Sequence, residues 1–210
     1  MYPAGNLFIP ASHGQVEAIL KDPRGETRGA ALVLHPHPLG GGTMHNKVVF
    51  RAAAALNDAG LAVLRINFRG AGASAGTFAE GIGERDDFTS ALDYMNNRYP
   101  GVPMWAGGMS FGSWIALTVG AQDPRVTTLL GIALPVDRYD FDAVANSSKP
   151  KFFIHGERDE LIPIKTLREF YARCAEPKEL VVIDMADHLF DGRVSEVADA
   201  VEDLLGDWHD

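Results

Sequence analysis

Short, continuously apolar runs alternate with stretches of helical pattern along most of the chain. This alternation constrains the fold more than any other feature. The runs cover residues 30–35, 61–68, 102–106, 128–134, 151–155 and 179–184. Between them, residues 47–59, 84–98, 111–120, 163–174 and 194–205 read as helices. Asn46 is placed to cap the first of these and Gly60 lies just past its end. Pro163 opens the fourth at a tolerated position, and Gly206 reads as a stop for the last. The runs are apolar throughout rather than at every second residue, so they are expected to be buried on both faces. Strand and helix in alternation predict a mainly parallel central sheet with helices on both faces, an α/β architecture. Ahead of it, residues 6–10 and 15–21 read as an antiparallel pair of strands. No repeat, low-complexity tract or linker divides the chain, so residues 1–210 are read as a single domain.

Composition narrows the function. With 19 basic and 28 acidic residues the formal charge is −9. A chain this acidic has no electrostatic reason to bind nucleic acid or an anionic membrane. Its one cysteine, Cys174, allows no internal disulfide. No apolar run approaches the length of a membrane span, and the first residues lack the basic and apolar regions of a signal peptide. A cytoplasmic location is therefore expected.

Residues 108–112, G-M-S-F-G, fit the pattern G-x-S-x-G. The chemistry explains the spacing. A nucleophilic serine must stand on a very tight turn between strand and helix, so that its hydroxyl projects toward substrate. Side chains two residues before and after it would collide there. The helix that follows aims its first amides at the place where negative charge develops. An apolar strand enters this motif and an apolar helix leaves it, so Ser110 is the expected nucleophile. The bland alternative is a serine that merely caps a helix.

The run 30–35 leads into H-P-H-P-L-G-G-G, residues 35–42. A loop at a strand end should give the second backbone donor of an oxyanion hole, with Phe111 giving the first. Pro36 and Pro38 have no N–H, which leaves the amides of His37 and Leu39. His37, held between two stiff residues, is favoured. His35, His37 and His45 also invite a metal site, but no nearby carboxylate or cysteine completes a ligand set. Neither metal nor cofactor is expected.

The run 151–155 ends in G-E-R-D-E-L-I-P, which puts Asp159 in a turn at a strand end. The run 179–184 ends in D-M-A-D-H-L-F-D-G, which carries His188. The order Ser110, Asp159, His188 is that of nucleophile, acid and base on sheets of this kind. His188 would take the proton of Ser110, and Asp159 would fix its tautomer. Asp137 and Asp140 are rival acids. Asp187 adjoins His188 and is badly placed to orient it, while His155 reads as a structural residue.

Taken together these motifs resemble the α/β-hydrolase superfamily over nearly the whole chain. Two segments, H-P-H-P-L-G-G-G-T-M-H-N-K-V-V and N-F-R-G-A-G-A-S-A-G, are similar to small bacterial hydrolases related to dienelactone hydrolase. That enzyme uses cysteine where this chain has Ser110, which puts dienelactone activity in doubt. The resemblance implies the α/β-hydrolase fold and supports the triad Ser110, Asp159 and His188. Larger members insert a helical lid after the sixth strand, and residues 135–150 leave little room for one. An open site and a small-molecule ester of short chain length are therefore expected, cleaved through an acyl-enzyme. Leu39, Met44, Met109, Phe111 and Phe190 are candidates for the substrate pocket, with core packing as the rival reading. Arg69 either meets an acidic substrate or braces its own loop. A thioesterase, a peptidase, an acyltransferase and a non-catalytic binding or scaffold protein are the other readings. The oligomeric state, a homodimer included, stays open.

Overall fold

The structure, a computed structural model, describes residues 6–207. The expected antiparallel pair is present as β1 (Asn6–Ala11) and β2 (Gly14–Lys21). The apolar runs form β3 (Gly29–Leu34), β4 (Leu61–Ile66), β5 (Met104–Met109), β6 (Val126–Ile132), β7 (Lys151–Gly156) and β8 (Lys178–Ile183). All eight strands join one sheet in the order β1-β2-β4-β3-β5-β6-β7-β8. From β4 to β8 every pairing is parallel, while β2 meets β4 antiparallel.

The helices are α1 (Lys47–Asp58), α2 (Ile82–Arg98), α3 (Phe111–Gln122), α4 (Asp142–Ala145), α5 (Ile164–Arg173) and α6 (Val194–Asp207). They cover both faces of the sheet. Along β3, Leu32 and Leu34 pack with Phe88, Ile115 and Leu117 of α2 and α3. Ala31 and Val33 turn to the other face and pack with Val48, Leu56, Val201 and Leu204 of α1 and α6. Every residue of β3, β5 and β7 is buried, as expected for strands covered on two sides. Each fully buried Leu or Phe contributes roughly 1.5–3 kcal/mol through loss of water contact. Among the described residues no helix is long and apolar enough to cross a membrane.

Several boundaries differ from the sequence reading. β5 continues through Gly107 and Gly108 to Met109, because these glycines pair with Leu130 and Gly131 of β6. β6 lies earlier than expected, since Ala133 takes a left-handed conformation (φ 50°) that ends the strand. Pro163 stands before α5 rather than within it. Gly206 does not stop α6, which runs on to Asp207. The connection from β6 to β7 holds one turn of helix, α4, that sequence reasoning did not foresee. Its Val144 and Ala145 are buried against the core beside α3 and α5. No lid forms from this segment.

Candidate active site

Ser110 sits between β5 and α3 with φ 51° and ψ −121°. This is a costly backbone for a residue with a Cβ, and such strain persists only where the surroundings fix it. Here the Ser110 amide donates to the carbonyl of Ile132 (2.8 Å), and its own carbonyl accepts from the Ser113 amide (2.9 Å) and hydroxyl (2.6 Å). The two glycines of the motif are required by close approach. A Cβ on Gly108 would stand 2.5 Å from the Gly112 backbone, and one on Gly112 would stand 2.4 Å from the His35 carbonyl oxygen.

Three side chains from three strand ends meet in one hydrogen-bonded chain. Ser110 Oγ lies 3.1 Å from His188 Nε2, and His188 Nδ1 lies 2.7 Å from Asp159 Oδ2. The other Asp159 oxygen, Oδ1, accepts the amides of Leu161 (2.9 Å) and Ile162 (2.8 Å). A carboxylate can only accept from Nδ1, so Nδ1 carries the proton and Nε2 is left to accept from the serine hydroxyl. Burial works against the Asp159 charge. The bonds from His188 and Ile162 and the nearby imidazoles outweigh it and hold the carboxyl below its ordinary range.

The rival acids are occupied elsewhere. Asp137 lies 3.9 Å from Arg138, and Asp140 accepts the amide of Asp142 at the start of α4. Asp187 accepts the amides of Leu189 and Asp191 in its own loop. His155 donates through Nε2 to the Ile162 carbonyl (2.8 Å), closing the turn that carries Asp159.

In the loop after β3, the Leu39 amide is taken by His37 Nδ1 (3.2 Å), and the amides of Gly40 and Gly42 donate to the His37 carbonyl. Among the described residues the His37 amide has no protein acceptor. Phe111 opens α3, where the helix offers its amide no acceptor. Both lie beside Ser110 in a cleft of about 390 Å³. β3 and β6 flank β5, so the loops after them form opposite walls of this cleft.

The substrate-pocket candidates need correction. Met44, Met109 and Phe190 have no exposed surface. Met109 and Phe190 lie in the core beneath α1 and α6. Met44 is held through its backbone, with its amide on Asn67 Oδ1 and its carbonyl on Arg65. Leu39 is 75% exposed and does not line the cleft. Of these candidates only Phe111 does. The walls come instead from Pro135, Arg138, Tyr139, Leu161 and Leu189. The stacking of Tyr139 on Trp114 (4.1 Å, 12°) fixes the Arg138 wall. No periodicity marks these loop residues. Their only signal is their place after strands β6, β7 and β8.

Arg69 braces its own loop. Its guanidinium and its amide both bind the fully buried Asp87, at 2.8 Å in each case.

Residues 25–136, just over half of the chain, match the Hydrolase_4 family, described as serine aminopeptidase, S33. The chain belongs to this family of α/β hydrolases. An uncharacterized protein of Rickettsia prowazekii, RP471, is 35% identical over 95% of this chain and 87% of its own length. An α/β serine hydrolase homologue from Coxiella burnetii superposes with a TM-score of 0.92 at 33% identity, covering 98% of this chain and 99% of that one. XC6422 from Xanthomonas campestris, described as an α/β serine hydrolase without lid, gives 0.89 at 29% identity over 99% and 97%. The small α4 of this hydrolase agrees with that lidless form.

Burial pushes His35 of this α/β hydrolase down from 6.5 to about 4, against the opposing pull of its bond to Pro36. Burial lowers His155 as well. Between pH 6.5 and 4 the unfolded chain therefore binds protons that the folded chain refuses. Stability is full above pH 6.5 and falls as the pH drops to 4, with His35 alone accounting for about 3 kcal/mol. Urea unfolding at pH 7.5 and 4.5 should show this loss. Equal midpoints would mean that neither histidine is buried neutral.

Proposed function

We propose that this α/β hydrolase cleaves carboxylic esters of short chain length through an acyl-enzyme on Ser110. The observation that carries the reading is the chain Ser110–His188–Asp159 opening onto a lidless cleft. His188 takes the serine proton as Oγ attacks the ester carbonyl. The His37 and Phe111 amides receive the charge that forms on the carbonyl oxygen. His188 then returns its proton to the leaving alcohol, and water repeats the sequence to release the acid. Throughout, the Asp159 carboxylate holds His188 in the tautomer required and offsets its charge.

The cleft also bears on the peptidase alternative. An aminopeptidase must hold the free ammonium of its substrate, for which a carboxylate is the natural partner. None of the described residues lining this cleft is Asp or Glu, and Arg138 is a cation in its wall. Ester cleavage fits such walls better.

Hydrolysis of p-nitrophenyl esters from acetate to palmitate tests the substrate class. The rate should peak at acetate or butyrate and drop at least about tenfold by palmitate, because the open cleft gives a long chain little surface to bury. Leucine p-nitroanilide should be a poor substrate. A maximum at long chains, or faster cleavage of the anilide, would refute the assignment.

A further inference from the structure

His35 takes no part in the mechanism above, yet both of its ring nitrogens are committed inside the core. The Phe68 amide donates to Nε2 (3.0 Å), and Nδ1 lies 2.6 Å from the Pro36 carbonyl oxygen. The first bond settles the tautomer. Since an amide can only donate, Nε2 is the acceptor, and Nδ1 carries the proton given to Pro36. The ring is wholly buried and packs edge-on against Phe68, with centroids 4.8 Å apart.

The consequence lies one bond further on. The carbonyl of Pro36 and the N–H of His37 belong to one planar trans peptide and point in opposite directions. Drawing the carbonyl inward to His35 turns the N–H outward, to the side where His37 lines the cleft with Ser110. The far side of His37 is fixed as well, because its carbonyl accepts the amides of Gly40 (3.0 Å) and Gly42 (3.1 Å). Its ring packs 5.0 Å from Phe111, the residue offering the second donor. We infer that His35 is a positioning residue for the oxyanion hole: it locks the Pro36–His37 peptide with the N–H toward Ser110. This rests on the acyl-transfer reading of the site.

Two substitutions separate the two bonds of the ring. In His35→Gln the amide oxygen takes the place of Nε2 and still accepts from Phe68, but nothing donates to Pro36. In His35→Asn the amide nitrogen takes the place of Nδ1 and still donates to Pro36, while the Phe68 bond is lost. Losing an oxyanion donor costs a hundredfold or more, and misaiming one costs part of that. His35→Gln is therefore expected to lose roughly ten- to a hundredfold in kcat with KM within about twofold. Its affinity for a trifluoromethyl ketone, whose adduct on Ser110 carries an oxyanion, should weaken by a similar factor. His35→Asn should keep kcat within a few-fold even where it is the less stable variant. A Gln variant with full kcat, equal losses of kcat in both, or a loss confined to KM would overturn the inference.

Amide NMR of the wild type gives a reading that does not depend on either variant folding. Forming the ketone adduct should move the His37 amide proton downfield. A shift at Leu39 with His37 unmoved would overturn the proposal. A wild type that forms no adduct and hydrolyses no ester would overturn the esterase reading, and this inference with it.

Discussion

Ser110→Ala is expected to reduce ester hydrolysis by at least about four orders of magnitude, with the fold intact. The hydroxyl is the atom that would carry the acyl group, and no neighbour in the cleft replaces it. His188 can still activate water, but water is not held against the carbonyl, so the advantage of a positioned nucleophile is gone. Alanine keeps the Cβ and hence the same backbone strain at φ 51°. Stability should therefore shift by no more than about 1 kcal/mol. Rates on p-nitrophenyl butyrate and thermal unfolding of the same preparations check both statements. Labelling by a fluorophosphonate should disappear with the hydroxyl. Substantial activity in a folded Ser110→Ala variant would remove Ser110 from the mechanism.

Asp159→Asn should cost on the order of 10⁴ in kcat. The side chain now serves two sets of donors, with Oδ1 on the Leu161 and Ile162 amides and Oδ2 on His188. Asparagine can keep the first set only by turning its NH₂ toward His188. That group donates, so Nδ1 must become the acceptor and the proton moves to Nε2, where it blocks the serine. Turning the amide over restores the histidine bond and strips both backbone amides of their acceptor. Asp137→Asn is the control, since Asp137 lies against Arg138 of the cleft wall and is bonded to neither Ser110 nor His188. It should stay within about twofold of wild type. A larger loss in Asp137→Asn than in Asp159→Asn, both being folded, would transfer the acid's role to Asp137.

A binding or scaffold role predicts neither result. It also offers no reason for the strained conformation of Ser110, which makes the serine hydroxyl face the cleft and imposes glycine at 108 and 112.

The order of strands and helices was legible because it depends on local pattern. An apolar run buried on both faces looks the same whichever strand lies beside it. Asn46 caps α1 as read, with its Oδ1 on the amides of Val48 and Val49, because capping is decided within three residues. Gly108 was legible for the same reason, since the collision it avoids, with the Gly112 backbone, arises within a single turn, whereas Gly112 makes room for the His35 carbonyl at the end of the neighbouring β3. The sequence also narrowed the oxyanion donor to two amides, through the prolines that have none.

Tertiary structure decided what depends on how distant segments meet. Asp159, Asp137 and Asp140 all follow strands, and only the packing of the β7 and β8 loops brings Asp159 to His188. Of the two amides, the Leu39 N–H is consumed by the His37 ring two residues away, a local contact for which the ring is held by packing on the distant Phe78 and Phe111. Met44, Met109 and Phe190 were misread because an apolar residue in or next to a strand-end loop can face the cleft or the core. Which way it faces is set by sheet register and loop path, not by its identity. Arg138 and Leu189 have no pattern of their own. They line the cleft because β6 ends beside β5, the loop after β8 reaches back to Ser110 with His188, and the short α4 leaves the space above Ser110 open.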